Sequence, residues 1–168
     1  PVYEWEHTIV IRPDHPLAEL RSSAARAISL EQVAQYPIVT YDRAFTGRSS
    51  IDAVFAEHGI QPDIVLEALD ADVIKTYVDV GLGIGIIAGI AYDPRRDKGL
   101  IGLPAGHLFG SHTTRVAVKS GVFLRDYVYV LIEMLSPELT RDVVQEAVES
   151  APALEAVELM TEAGIDLV

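Results

Sequence analysis

The chain contains no cysteine. That excludes a disulfide framework, a thiolate metal site and a cysteine nucleophile, and it suits a reducing cytoplasm. No run of about 18 apolar residues occurs, so no membrane-spanning helix is expected. The start, Pro1-Val2-Tyr3-Glu4-Trp5-Glu6, lacks the basic-then-apolar order of a secretory signal, and it lacks an initiator methionine, as a fragment of a longer chain would. Bases are scarce: 13 Lys and Arg stand against 25 Asp and Glu, a formal net charge of -12. A surface of that sign repels the phosphates of a duplex, so this chain alone is not expected to grip nucleic acid. No internal repeat, low-complexity tract or Gly-x-Ser-x-Gly elbow is visible, and nothing assembles a nucleophile with a base and an orienting acid. No catalytic residue is expected.

What the chain does have is globular substance. Its 168 residues are 49% hydrophobic and 23% charged, enough for one ordinary domain or two small lobes with a real core. The acid is uneven. From Leu131 onward nine acids meet only Arg141, a net of -8. This stretch reads either as a solvated helix face or as an acidic docking surface.

Strand-like and helix-like runs alternate. Thr8–Ile11 is a β-branched strand ended by Pro13 and Pro16, and Leu17 to Arg26 reads as an exposed loop or ragged turn. Ser29 with Gln32 makes a capping box for a short helix over Leu30 and Val33. Pro37–Tyr41 is a buried strand, and Asp42–Ser49 a polar turn. Ile51, Val54 and Phe55 follow at helical spacing, with Gly59 as stop. Ile64–Leu66 is a strand, Asp70 caps a helix through Val73, Ile74, Tyr77 and Val78 to Gly81, and Ile84–Ile87 and Leu100–Pro104 are strands. The β-α-β succession predicts a mainly parallel sheet covered by helices. After Pro104 the rhythm changes. Thr114–Lys119 alternates as a strand. Phe123, Tyr127, Val130, Leu131 and Met134 share a helix face, Pro137 opens a helix through Val143, Val144 and Val148, and Val157, Leu159 and Met160 form a weaker one. A single strand is not a sheet, so it needs partner strands from elsewhere.

Three segments invite a chemical reading. Thr40 to Ser50 lies between a strand and a helix, where open α/β sheets bind ligands and helix N–H groups favour anions. Thr46, Ser49 and Ser50 offer hydroxyls, Gly47 permits close backbone approach, and Arg43 and Arg48 offer partners for a carboxylate or sulfate. The same letters also suit a plain polar turn with a Ser49 cap and a surface arginine. In Gly81–Ala88, Gly83-x-Gly85-x-x-Ala88 has the letters of a dinucleotide fingerprint, but it follows a helix and enters a strand, the reverse of what that motif needs. A helix stop with tight strand packing accounts for it. Asp70 and Asp72 at a helix start serve as cap and dipole partners, or one faces a ligand cleft. His107 and His112, in a predicted loop, have no carboxylate cluster, so no metal site is expected.

Five segments then occur in order: Thr8-Ile-Val-Ile-Arg-Pro-Asp-His-Pro-Leu17, Ala34-Gln-Tyr-Pro-Ile-Val-Thr-Tyr41, Phe45-Thr46-Gly47-Arg48-Ser49, Asp70-Ala-Asp-Val-Ile-Lys-Thr-Tyr-Val78 with Gly81-Leu-Gly-Ile-Gly85, and Leu139-Thr-Arg-Asp-Val-Val144. Together they resemble the effector-binding region of LysR-type transcriptional regulators, in the CysB-like branch that governs sulfur assimilation and cysteine biosynthesis. The resemblance covers about Tyr3 to Val148. It implies an α/β, periplasmic-binding-protein-like (type II) effector domain of two lobes with a cleft between them. On that template residues 6–108 are the complete second lobe, 113–150 the returning part of the first, and 151–168 a tail with no assigned role. The chain would cross between lobes near Tyr3–Thr8 and His107–Thr113. The family's DNA-binding helix-turn-helix has no counterpart in this sequence.

The resemblance implies a cytoplasmic sensor, not an enzyme, with no cofactor. Its partner would be a small anionic effector such as sulfate, thiosulfate or an acetylserine, with DNA met only through the missing N-terminal domain. Thr46 carries over as an effector contact, and Gly47, Arg48 and Ser49 extend it by helix-terminus geometry. The orphan strand and the apolar surface around Phe123 and Tyr127 imply self-association. Two other readings stay open at this point: a free-standing solute-binding lobe with no DNA partner, and an enzyme, which the α/β pattern alone does not exclude.

Overall fold

A computed structural model of the chain describes residues 1–22, 27–119 and 121–150, with positions 21, 22, 46 and 150 described through their backbone alone. The chain divides into two compact units. One is Trp5–His112, and the other joins Pro1–Glu4 to the chain from Thr113 onward. The division falls inside two strands, β1 (Tyr3–Ile11) and β6 (Ser111–Thr114), which pair with each other.

In the larger unit β1 is followed by a 3-10 turn (Pro16–Ser22), α1 (Leu30–Val33), β2 (Ile38–Tyr41) and α2 (Thr46–Glu57). Then come β3 (Ile64–Ala68), α3 (Ala71–Asp79), β4 (Ile84–Ala88), a 3-10 turn (Gly89–Ala91), β5 (Ile101–Pro104) and α4 (Gly106–Phe109). The strand order is β3-β2-β4-β1-β5. β2 runs parallel to β3 and β4, joined through α2 and α3 as β-α-β units require. β1 runs antiparallel to both β4 and β5. The sheet is therefore mixed, which corrects the expectation of a mainly parallel one. Hydrophobic periodicity reports that β1 is buried, but it says nothing of the direction in which a strand outside the β-α-β run is laid.

Both faces of the sheet are covered. Ile9, Ile11, Ile38, Ile84 and Ile86 meet Leu30, Val33, Ile51, Phe55 and Phe109 on one side, while Val10, Val39 and Ile87 meet Ile74 and Val78 of α3 on the other. Burial on both faces explains why these strands read as continuous β-branched runs. The capping box is present: Ser29 Oγ accepts from Gln32 N–H and Gln32 Oε1 accepts from Ser29 N–H. Of the two readings of Leu17 to Arg26, exposed loop or ragged turn, the described part is a 3-10 turn, and Leu17, only 5% exposed, joins the core; residues 23–26 lie outside the described ones. The glycine run is structural. A side chain on Gly83 would strike the Pro37 carbonyl, and one on Gly85 would sit 2.6 Å from Val10 Cγ2 and 2.9 Å from Val78 Cγ2. Gly59 and Gly81 end their helices with φ of 64° and 88°, a conformation that favours glycine.

The smaller unit holds α5 (Asp126–Leu135) and α6 (Arg141–Ser150) around Tyr129, Ile132, Val144 and Val148. Two expectations are corrected here. The strand lies at Ser111–Thr114, not Thr114–Lys119. Val116 and Val118 keep their alternating half-burial against the helix cluster, but no described residue pairs with them in a ladder. The face of α5 that carries Tyr127, Val130, Leu131 and Met134 points outward, and Val128, Tyr129 and Ile132 do the packing. The next helix starts at Arg141, four residues after Pro137. The helix expected around Val157–Met160 lies outside the described residues.

Candidate functional site

The strand-to-helix passage after β2 is built by short-range bonds. Asp42 turns the chain: its Oδ1 accepts from Ala44 N–H at 2.9 Å, and its carbonyl accepts from Phe45 N–H at 3.1 Å. That turn feeds straight into α2, whose N-cap is Phe45 and which has no side-chain cap. The helix starts at Thr46, so Ser49 is not its cap, a correction to one of the two sequence readings. The first turn has no side-chain cap and carries the positive end of a 12-residue helix; Arg48 N–H donates to the Phe45 carbonyl at 3.0 Å, which leaves the N–H groups of Thr46 and Gly47 as those the turn can present. Thr46 opens that turn, while its side chain lies outside the described residues. Gly47 is buried, and Ser49 is exposed in the same stretch.

Arg48 is not where the sequence reading puts it. It is 1% exposed, neither a surface cation nor a group open to an anion. Its Nε donates to Asp52 Oδ1 at 2.8 Å, and its Nη1 donates to the Tyr41 carbonyl and to Glu67 Oε1, both at 2.8 Å. Burial works to lower the guanidinium pKa, but the bonds and charges of Asp52 and Glu67 outweigh it and raise the pKa above its ordinary value. Arg48 thus ties the end of β2, the second turn of α2 and β3 together. It shapes the site from behind, while Arg43 stays exposed, with Nε 3.7 Å from the Glu67 carboxylate.

A second feature escaped the sequence reading. The strand alternation of β1 puts Trp5 and His7 on the face of Ile9 and Ile11, toward α2. A side chain on Gly47 would come within 3.1 Å of the Trp5 ring and 3.4 Å of His7 Nε2, so any larger residue would press on the Trp5 ring. His112 stacks on Trp5 at 4.5 Å. His7 is buried, and neither of its ring nitrogens has a well-formed hydrogen bond among the described residues; the same holds for His112 Nε2. Burial first, and then the neighbouring His112, lower the His7 pKa to about 4, with the Gly47 backbone offsetting part of this. Period-2 alternation through Trp5, His7 and Ile9 was the signal available.

The remaining candidates resolve as structure. Asp70 caps α3 by accepting from Val73 N–H at 2.8 Å, and Asp72 pairs with Lys75 at 2.9 Å. A cavity of about 310 Å³ lies beside them, but Lys75 Nζ at its wall is already engaged by Asp72, Asp97 and the Ala91 carbonyl. His107 Nε2 lies 2.8 Å from the Ile28 carbonyl. Among the described residues no group of three or more His, Cys, Asp or Glu is placed to hold a metal, and no helix is long and apolar enough to cross a membrane.

Comparison with known proteins places this geometry in context. The family described as the LysR substrate binding domain matches residues 1–140. The HTH-type transcriptional regulator CysB of Burkholderia cenocepacia is 54% identical over 149 residues, covering 89% of this chain and 46% of that protein. SsuR, an HTH-type transcriptional regulator of the same organism, is 53% identical over 139 residues, covering 83% of this chain and 44% of that one. The chain thus spans a little under half the length of these relatives. Among solved structures, the cofactor-binding domain of the Cbl transcriptional regulator superposes with a TM-score of 0.79 at 37% identity, covering 90% of this chain and 64% of that one. The relatives are transcriptional regulators rather than enzymes, and the fold is the α/β, type II periplasmic-binding-protein-like fold of effector domains.

Proposed function

The chain belongs to the LysR-type regulator family through its effector-binding domain, of the CysB, Cbl and SsuR kind, and on that premise we propose that it is the effector-sensing part of a cytoplasmic regulator of sulfur assimilation and cysteine biosynthesis. The observation that carries this is the 54% identity to a CysB regulator across 89% of the chain. The effector is a small anion: sulfate, thiosulfate or an acetylserine. It is held at the first turn of α2 by Thr46, the backbone around Gly47, and Ser49. The uncapped N–H groups of that turn support an anionic ligand, and the close seat of Gly47 against Trp5 supports a turn held in one place. Arg48 serves as a positioning residue through its three bonds. Residues 6–108 are the complete second lobe, 113–150 the returning part of the first. DNA is met through a helix-turn-helix outside this sequence. Effector binding matters through its different affinities for two arrangements of the whole regulator.

The test is calorimetric titration of the full-length protein and its Thr46→Val variant with sulfate, thiosulfate and O-acetylserine. Valine keeps the shape and removes one hydrogen bond. The expected loss is about 0.5–1.5 kcal/mol for a neutral bond and about 1.5–3 kcal/mol for a charged one, or roughly 2-fold to 150-fold in affinity. Unchanged affinity for every ligand that binds removes Thr46 from the site.

A further inference from the structure

The rings beside α2 occupy a place in the chain that effector binding alone does not require. Trp5 is the first residue of the larger unit and His112 the last. The segments by which the chain enters and leaves that unit therefore meet in a stack, with 4.5 Å between ring centroids and 28° between planes. His7 stands edge-on to both, 5.1 Å from Trp5 and 4.8 Å from His112, and Phe109 lies 5.4 Å away. Four rings from β1, α4 and β6 thus form one cluster, and α2 rests on it at Gly47.

The cluster is chemically odd for a core. His7 is 1% exposed, and three buried imidazole nitrogens, two on His7 and one on His112, have no well-formed hydrogen bond among the described residues, the His7 ring meeting only the Gly47 backbone. Buried polar atoms are normally hydrogen-bonded, and those that are not disfavour the state that buries them. An apolar ring would carry no such cost. Imidazoles here make the closed stack less secure than an apolar one and leave it with another arrangement to reach, in which those nitrogens meet water or backbone. Elements with two nearby arrangements are what conformational coupling needs.

We propose that the Trp5–His7–His112 stack is a latch that holds the first turn of α2 to the two chain passages of this unit and transmits the occupancy of that turn to them. The turn and the stack are near neighbours: a Cβ added at Gly47 would come 3.1 Å from the Trp5 ring, so a shift of the turn toward the stack presses on that ring. An anion on the turn's amides fixes the turn, the turn fixes Trp5, and Trp5 with His112 fixes both passages. The transmission half rests on the reading that the first turn of α2 takes the effector; the mechanical half does not.

Two measurements on the full-length protein separate these halves. The first is hydrogen exchange. His112→Ala removes the stacking partner and is expected to speed exchange of the amides at 46–49 by at least about tenfold, with the Ile74–Val78 amides of α3 as the internal control for folding. His7→Phe, which removes both ring nitrogens in exchange for a somewhat larger apolar ring, is expected to slow the same amides. If neither variant alters exchange at 46–49 while α3 stays protected, the latch is overturned whatever the ligand does. The second is fluorescence. Trp5 is the only tryptophan of this sequence, and Trp5→Phe identifies its signal in the longer protein. Sulfate or O-acetylserine is expected to shift Trp5 emission at the concentration where calorimetry shows binding, and His112→Ala to abolish the shift while binding persists. Binding without a Trp5 response overturns transmission and leaves the effector site standing. If neither probe binds, the effector reading and the transmission that rests on it both fall, and the exchange result alone decides the mechanical latch.

Discussion

His7 is neutral by force of its surroundings. Burial and the adjacent His112 hold its pKa at about 4, against 6.5 for a free imidazole, and burial also lowers that of His112. The folded pKa lies below the unfolded one, so between about pH 6.5 and 4 the unfolded chain binds more protons and stability falls as pH falls. Above pH 6.5 His7 is neutral in both states and contributes no slope. Urea unfolding across this window is expected to show roughly 2–4 kcal/mol of acid destabilisation in the native chain, most of it absent from His7→Phe. Equal slopes in both would assign the acid sensitivity to other groups. Arg48 makes the opposite case, a charge kept in the interior by partners. Arg48→Ala strands the Tyr41 carbonyl and two carboxylates, at a cost of about 2–4 kcal/mol. Arg48→Lys is expected to restore less than half, because one ammonium does not reproduce a planar fork on three acceptors. Equilibrium denaturation midpoints check both, and a fully stable lysine variant would mean that charge alone suffices. The i,i+4 spacing of Arg48 and Asp52 and the alternation of Trp5, His7 and Ile9 were legible, but the Arg48 bonds to the Tyr41 carbonyl and Glu67 and the approach of His112 to His7 depend on tertiary placement that no spacing encodes.

Elements were more legible than residues, to the degree that their signals are local. The Ser29 capping box, the Asp70 cap and the glycine stops at Gly59 and Gly81 all act within a few positions, and all stand as read. The N-cap of α2 lies at Phe45, four residues before the Ser49 cap, because the turn at Asp42 leads into the helix through backbone bonds, without using a hydroxyl cap. The direction of β1 and the missing ladder at Thr114–Lys119 were not legible, since strands are completed by distant partners. The Gly83–Ala88 run shows where packing alone specifies a residue. Gly85 lies in β4 between Val10 on the neighbouring strand and Val78 and Ile74 of α3, and an added methyl would sit 2.6–3.0 Å from their Cγ2 atoms. Gly85→Ala forces strand or helix to shift and is expected to cost about 1–3 kcal/mol. Gly110→Ala is the contrast: open space surrounds the site, and its cost comes from a φ of 76° instead. Thermal unfolding of the two variants, with exchange of the α3 amides, separates them: only Gly85→Ala should loosen α3. Intact α3 protection in Gly85→Ala would show that β4 yields without disturbing the helix.

At the scale of the molecule, the composition and the βαβ rhythm sufficed for an α/β class, motif order for the family and its fold, and the apolar surface expected around Phe123 and Tyr127 is exposed. A helix pattern tells which side chains share a stripe but not which stripe is covered. α5 buries Tyr129 and Ile132 and leaves Tyr127, Val130, Leu131 and Met134 exposed to 66%, 56%, 55% and 78%. Four neighbouring apolar side chains at that exposure favour contact with another surface. Of the two supports for the expected self-association, the strand edge at Thr114–Lys119 and the apolar surface around Phe123 and Tyr127, the second remains. Its response to salt identifies the force. With a net charge of -12 per chain, copies repel one another at low ionic strength. An apolar contact then tightens as salt screens that repulsion, whereas an assembly held by ion pairs loosens. Light scattering of the chain at rising concentration is expected to show a dimer or larger oligomer, favoured by salt. Leu131→Lys with Met134→Lys would shift it toward monomer although both changes reduce the net charge. That last feature makes the test sharp: if repulsion governed assembly, the two lysines would promote it, and a clean monomer of the unaltered chain at high concentration and high salt would remove the α5 face from the argument.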